Sequence, residues 1–101
     1  MLSRQMTLFL RSTVLAAMLV VAGCQTAPPV QEMSDARQAI TAAREAGAAE
    51  HAADQLDAAV GFLNSAEKYL KNRSFTFARR DAIAAKSKAL DALKLSEADQ
   101  E

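Results

Sequence analysis

Residues 75–92 run Phe75-Thr76-Phe77-Ala78-Arg79-Arg80-Asp81-Ala82-Ile83-Ala84-Ala85-Lys86-Ser87-Lys88-Ala89-Leu90-Asp91-Ala92. Small apolar side chains recur through this stretch at spacings of three and four, which is the period of one face of an α-helix. The stripe consists of Phe75, Ala78, Ala82, Ala85, Ala89 and Ala92. The pattern predicts a helix over about 75–95 that packs closely against a neighbouring helix through its alanines.

Two further helical patterns precede this one. A seven-residue repeat with an offset of three predicts a helix over about 54–72; its members are Leu56, Ala59, Leu63, Ala66 and Leu70. A shorter stripe predicts a helix over about 35–47; its members are Met33, Ala36, Ile40 and Ala43. Gly47 and Asn72-Arg73-Ser74 are typical of the breaks between helices. The sequence therefore predicts an all-α fold, a small antiparallel three-helix bundle over residues 34–96, with a polar, frayed tail over 97–101.

The N-terminal segment has the layout of a secretory signal. Arg4 and Arg11 precede an apolar run over residues 12–23, and no acidic residue lies before or within it. A transmembrane helix needs about 20 consecutive apolar residues. The run is shorter than that, so it predicts a cleaved signal rather than a permanent membrane span.

This apolar run ends in Val21-Ala22-Gly23-Cys24, which contains the only cysteine of the chain. The four residues resemble the lipobox of bacterial lipoproteins. The resemblance implies that a signal peptidase recognises Val21, Ala22 and Gly23 and removes residues 1–23. It also implies that Cys24 receives a diacylglycerol thioether and, in Gram-negative bacteria, an N-acyl chain such as palmitate. The alternative is a conventional signal with cleavage after an Ala-x-Ala site.

Gln25 bears on the membrane to which such a protein would go. In enteric lipoproteins an aspartate at this place retains the protein in the inner membrane. By that resemblance, and for a Gram-negative host, Gln25 predicts an outer-membrane lipoprotein that faces the periplasm rather than one retained in the inner membrane. Residues 24–33 follow as a short tether, in which Pro28 and Pro29 favour extended structure.

Removal of residues 1–23 changes the charge of the chain. Lysine plus arginine and aspartate plus glutamate both number 12, so losing Arg4 and Arg11 takes the formal charge from 0 to −2. Neither a strongly basic balance nor a nucleic-acid-binding motif is present, which argues against nucleic-acid binding. The alanine-rich core would be small, and this favours self-association, for example through the alanine stripes, or docking to another envelope protein.

The second half of the chain resembles one tetratricopeptide-type helical hairpin. The resemblance lies in Ala66-x-x-Tyr69 followed by Phe75-x-x-Ala78-x-x-x-Ala82-x-x-Ala85. It implies two antiparallel helices in close contact, with Phe75 closing the open end. The turn glycine and closing proline of that motif are missing, and one copy does not form a solenoid.

The mature chain, and residues 34–48 in particular, also resemble small proteobacterial envelope lipoproteins that carry an uncharacterised domain. That resemblance implies a signal, a lipobox, a tether and a three-helix tetratricopeptide-like domain. It implies no catalytic residues.

Candidate chemical groups in the helices are few. His51 is the only histidine, with Glu50 and Asp54 nearby, but zinc sites need three or four placed ligands. We therefore interpret His51 as an exposed turn residue and predict no metal site. Serine nucleophiles require an oriented base, and no such motif surrounds Ser65, Ser74 or Ser87. We expect no catalytic residue, no small-molecule substrate and no cofactor other than the lipid on Cys24.

A basic segment offers a candidate binding surface. Residues 67–88 contain seven basic residues but only two acidic ones, Glu67 and Asp81. The basic residues are Lys68, Lys71, Arg73, Arg79, Arg80, Lys86 and Lys88. Phe75 and Phe77 are two positions apart, so their side chains diverge on a helix. Phe77 beside Arg73, Arg79 and Arg80 would form a partner-binding surface. The alternatives are burial of Phe77 and a merely solvated basic face.

These patterns predict a lipid-anchored envelope protein that acts as a non-enzymatic structural or protein-interaction module at the periplasmic face of the outer membrane. The alternative is a protein that binds peptidoglycan noncovalently, or anionic lipid or lipopolysaccharide, in support of envelope integrity. In both cases the anchor on Cys24 would raise the local concentration of the domain near its partners.

Overall fold

The computed structural model describes residues 6–7 and 27–101, and the described residues are almost entirely helical. From residue 27 onward there are four helices: α1 (Val30–Glu45), α2 (Ala48–His51), α3 (Ala53–Lys71) and α4 (Phe75–Asp99). The longest, α4, packs extensively against both α3 and α1. The prediction of an all-α fold of packed helices is confirmed.

Alanine forms most of the core. Every alanine of the α4 stripe, from Ala78 to Ala92, is fully buried. Larger buried apolar side chains are few, namely Pro29, Met33, Ile40 and Leu56. Half-buried Leu63 packs against two clusters of buried residues, one around Ile40 and Leu56 and the other around Met33. Because methyl groups fill so little space, the helix backbones must approach closely to exclude water from between them.

A three-residue turn joins α3 to α4. The Ser74 amide donates to the Tyr69 carbonyl at 2.9 Å, and the Arg73 amide donates to the Leu70 carbonyl at 3.1 Å. This pair of bonds is a Schellman motif, which normally has glycine in the left-handed position. Here that position is occupied by Arg73, with φ of 59°, whereas the preceding Asn72 has φ of −84°. A left-handed conformation costs a residue with a side chain about 1 to 2 kcal/mol.

Gly47 ends α1. Its φ of 88° lies in the left-handed region, and its amide donates to the Arg44 carbonyl at 3.0 Å. The expected turn after Gly47 instead contains the single helical turn α2. Alanine's high helix propensity accounts for this turn, and buried Ala48 and Ala52 join it to the core.

The predicted tether, residues 24–33, overlaps the start of α1. Helix α1 begins at Val30, not near residue 35, and Pro29 is fully buried. The Pro29 carbonyl accepts the Met33 amide at 3.0 Å, so the proline starts the helix rather than extending the tether. Burial of the Met33 side chain stabilises this first turn.

Most of the predicted frayed tail, residues 97–101, is helical. Helix α4 continues to Asp99, and the Gln100 side chain donates to the Ala46 carbonyl at 2.6 Å. Ser96 is fully buried and donates to the Ala92 carbonyl at 2.7 Å. The Gln100 bond holds the end of α4 against the end of α1, whereas the Ser96 bond lies within α4 itself. Among the described residues, no helix is both long enough and apolar enough to cross a bilayer.

Replacement by alanine should have opposite effects on stability at Gly47 and at Gly61. In Gly47→Ala the new Cβ would lie 3.2 Å from the His51 ring at a positive φ, so we expect a loss of about 1 to 2 kcal/mol. Gly61 lies within α3 with open space around it, so Gly61→Ala should stabilise by about 0.5 to 1 kcal/mol. Urea denaturation followed by helical circular dichroism would measure both, and equal signs would contradict the assigned backbone conformations.

Overpacking the alanine interface should be costly. Ala85 has no exposed surface, so Ala85→Leu should destabilise by about 1 to 3 kcal/mol. Ala98→Leu introduces the same side chain at an exposed position of the same helix and serves as the control. Thermal melts of the two variants should differ clearly, and identical melting temperatures would rule out close contact at Ala85.

Candidate functional site

An aromatic and basic surface lies beside the turn between α3 and α4. The Phe77 ring stacks on the Tyr69 ring with centroids 5.4 Å apart, and the Arg80 guanidinium lies 5.0 Å from the centroid of Phe77. Phe77 nevertheless remains 48% exposed. Cation–π contact holds the guanidinium over the ring while leaving both groups accessible to a partner.

An open groove of about 440 Å³ continues from this surface along α3 and α4. Its apolar wall includes Ala58, Phe62 and Tyr69, and its polar end is formed by Ser65, Arg80 and Asp81. Phe62 is 36% exposed, and Gly61 leaves the wall without a side chain at its position. The groove is wide and shallow, which suits a protein surface better than an enclosed small molecule.

A buried carboxylate fixes the floor of the groove. Asp81 is only 5% exposed. It accepts a 2.6 Å hydrogen bond from the Ser65 hydroxyl and a 3.2 Å bond from Nε of Arg80. Burial of a charge without such partners would be costly. The link therefore fixes the register of α3 against α4 and helps to hold Arg80 beside Phe77.

Arg79 is directed toward the N-terminal end of α1 instead. Its Nε donates to Glu32 at 3.1 Å, and another guanidinium nitrogen donates to the Ala27 carbonyl at 2.9 Å. Arg79 and Glu32 are each only about a third exposed or less. Of the four predicted partner-binding residues, Phe77 and Arg80 are therefore brought together, Arg79 joins α4 to residues 27–32, and Arg73 lies in the turn.

The basic segment is partly neutralised within the fold. Arg79 pairs with Glu32, Arg80 with Asp81, and Lys86 with Asp35 at 3.7 Å. Glu67 pairs with Arg37 of α1 at 3.3 Å. None of the described carboxylates is within ion-pair distance of Lys68, Lys71 or Arg73, and all three cations are exposed. Within this segment, three of the four cations without a carboxylate partner among the described residues thus lie near the α3–α4 turn, and the fourth, Lys88, lies further along α4.

His51 lies at the other end of the bundle. Its Nδ1 is 3.7 Å from a carboxylate oxygen of Asp99 in α4, not beside a ligand set formed with Glu50 and Asp54. No group of three or more potential metal ligands occurs within residues 6–7 and 27–101. A second shallow depression between α3 and α4 includes Gln55, Lys88, Asp91 and Leu95 among its lining residues.

Sequence reasoning missed two members of the site, Tyr69 as a stacking partner and Ser65 as the partner of Asp81. Both could have been found from spacing. Tyr69 and Phe77 are equidistant from Arg73, and so are Ser65 and Asp81. Residues equidistant from a tight turn face each other in a helical hairpin.

The predicted lipidation site, Val21-Ala22-Gly23-Cys24, lies outside the described residues. No protein-family model, curated protein or solved structure matches the chain. The resemblances to the lipobox, to the tetratricopeptide hairpin and to small envelope lipoproteins therefore stay predictions from the sequence.

The Ser65–Asp81 link should contribute measurably to stability. Ser65→Ala removes a hydrogen bond to a buried carboxylate, so we expect a loss of about 1 to 2 kcal/mol in the free energy of unfolding. Ser87→Ala, at an exposed position of α4, should change stability by less than about 0.5 kcal/mol. Denaturant titration would compare them, and a neutral Ser65→Ala variant would show that the link is dispensable.

Proposed function

We propose that the chain is a lipid-anchored protein of the bacterial cell envelope. Its helical domain acts as a non-enzymatic structural or protein-interaction module at the periplasmic face of the outer membrane. The observation that carries this proposal is Val21-Ala22-Gly23-Cys24, with the only cysteine of the chain placed at the end of an apolar N-terminal run. Gln25 after the cysteine supports the outer membrane as the destination.

We further propose that the domain is an antiparallel three-helix bundle with a tetratricopeptide-like hairpin. The pairs Ser65–Asp81 and Tyr69–Phe77, both centred on Arg73, support the hairpin. Close packing through Ala78, Ala82 and Ala85 supports the likeness to the tetratricopeptide motif. Helix α1 would be the third helix, with the single turn α2 as its connection to α3.

The partner in this proposal is another envelope protein that docks at the groove beside Phe62. The groove combines exposed aromatic surface with Arg80, a combination that is enriched in protein interfaces. The alanine stripe of α4 is a poorer candidate for self-association, since its alanines are buried within one chain. Anchoring by lipid would confine the groove to a thin layer and raise its effective concentration there.

Removal of the cysteine tests the anchor. Cys24→Ala should abolish incorporation of a palmitate analogue and move the protein from the membrane fraction to the soluble fraction or leave it unprocessed, since the lipid is the proposed attachment. Gln25→Asp keeps the acceptor and serves as the matched control, which should remain labelled but shift to the inner membrane. Unchanged labelling of Cys24→Ala would refute the proposal.

A photoreactive side chain at position 62 tests the partner surface. In intact cells we expect a specific crosslink to one envelope protein from Phe62 but not from Thr41, which is exposed on α1. Mass spectrometry would identify the captured chain. Recovery of monomer alone from both positions would contradict docking at the groove.

A further inference from the structure

The end of the bundle that carries the α3–α4 turn has a distinctive surface, which we call the basic tip. It consists of Lys68, Lys71, Arg73, Phe77 and Arg80, all of them exposed. Lys68, Lys71 and Arg73 have no carboxylate partner among the described residues, and the one acidic side chain beneath Arg80, that of Asp81, is buried. The tip therefore presents positive charge around an accessible aromatic ring.

Arg73 supports a role for these cations beyond helix capping. It occupies the left-handed position of the turn, where glycine would fit without strain. Its side chain makes no ion pair with the described residues that would compensate for that conformation. Residues held in strained backbone conformations cluster at active sites and ligand-binding sites.

The chain enters the domain at the same end. Arg79, which lies in α4 between the tip residues Phe77 and Arg80, binds the Ala27 carbonyl at 2.9 Å and Glu32 at 3.1 Å. Ala27 follows Cys24 by three positions, and an extended backbone of that length spans at most about 11 Å. This maximum length is comparable to the Debye length, which is about 8 to 10 Å at physiological salt. Charges on the tip would therefore interact electrostatically with the surface that holds the anchor.

We propose that the basic tip contacts the anionic phospholipid headgroups of the membrane in which Cys24 is anchored. The inference rests on the proposed function, because the lipid on Cys24 supplies the membrane. Clustered cations without carboxylate partners favour an anionic lipid surface. An aromatic ring beside them is suited to the headgroup region. With the tip against the membrane, α4 would project away from it, and the groove beside Phe62 would face sideways.

The absence of tryptophan from the chain provides a direct test. The full chain carrying Phe77→Trp would be purified in its lipidated form and inserted into vesicles of phosphatidylglycerol and phosphatidylcholine. We expect brominated phospholipid to quench its emission. The control is Leu95→Trp, a similarly exposed position near the far end of α4, which should stay unquenched. Equal quenching of the two variants would overturn the proposed orientation.

Charge variants in the Phe77→Trp background test the cations. Lys68→Gln with Lys71→Gln should lower the quenching toward that in vesicles of phosphatidylcholine alone, as should high salt. Lys88→Gln with Lys94→Gln removes the same number of exposed cations away from the tip and should leave it unchanged. Equal quenching in anionic and zwitterionic vesicles would overturn the role of the cations.

Arg73→Gly separates stability from membrane contact. Relief of the left-handed strain should raise the melting temperature, whereas loss of the guanidinium should lower the quenching of Phe77→Trp in anionic vesicles. Unaltered quenching in the stabilised variant would exclude Arg73 from the contact.

Mass spectrometry of the purified protein distinguishes the two proposals. Absence of lipid on Cys24 would refute the proposed function itself. Lipid on Cys24 with no quenching of Phe77→Trp in anionic vesicles would refute the membrane contact of the tip alone.

Discussion

Close approach of α4 to α3 and α1 through alanine side chains is the constraint on which the structure depends. The interface contains few large side chains, so its stability comes from exclusion of water over many small contacts rather than from a few deep anchors. Such packing leaves little room for adjustment between backbones. It also means that larger side chains, including Phe62 and Phe77, are left at the surface because the tight interface cannot accept them.

Polar contacts determine the register between the helices, which alanine packing alone does not fix. Methyl groups along a uniform stripe fit almost equally well when one helix slides by a turn, whereas Ser65 bonded to Asp81 fits at a single register. Arg79 acts similarly between α4 and the start of α1. Hydrophobic packing thus brings the helices together, and a small number of specific polar contacts determines how they align and what the surface displays.

The sequence predicted the helices well because apolar periodicity is local information. The stripe of α1 and the alanines of the α4 stripe are buried as expected, although Phe75 is only half-buried, and the breaks at Gly47 and near Asn72 are present. Prediction was poorer where a residue's environment depends on distant partners. Pro29 suggested an extended tether, yet its burial depends on tertiary packing. The separation of Arg79 from Phe77 likewise arose from Glu32 and Ala27, whose positions only the assembled fold determines.

The bond from Arg79 to the Ala27 carbonyl has a mechanical consequence. A pulling force applied to the chain before residue 27 would be passed through this guanidinium directly to α4, in addition to the start of α1. Two helices far apart in sequence would share the load, so the first turn of α1 could not be peeled away alone. The N-terminal start of the domain is therefore attached to α4 as well as to α1, and the buried Pro29 follows this attachment two residues later.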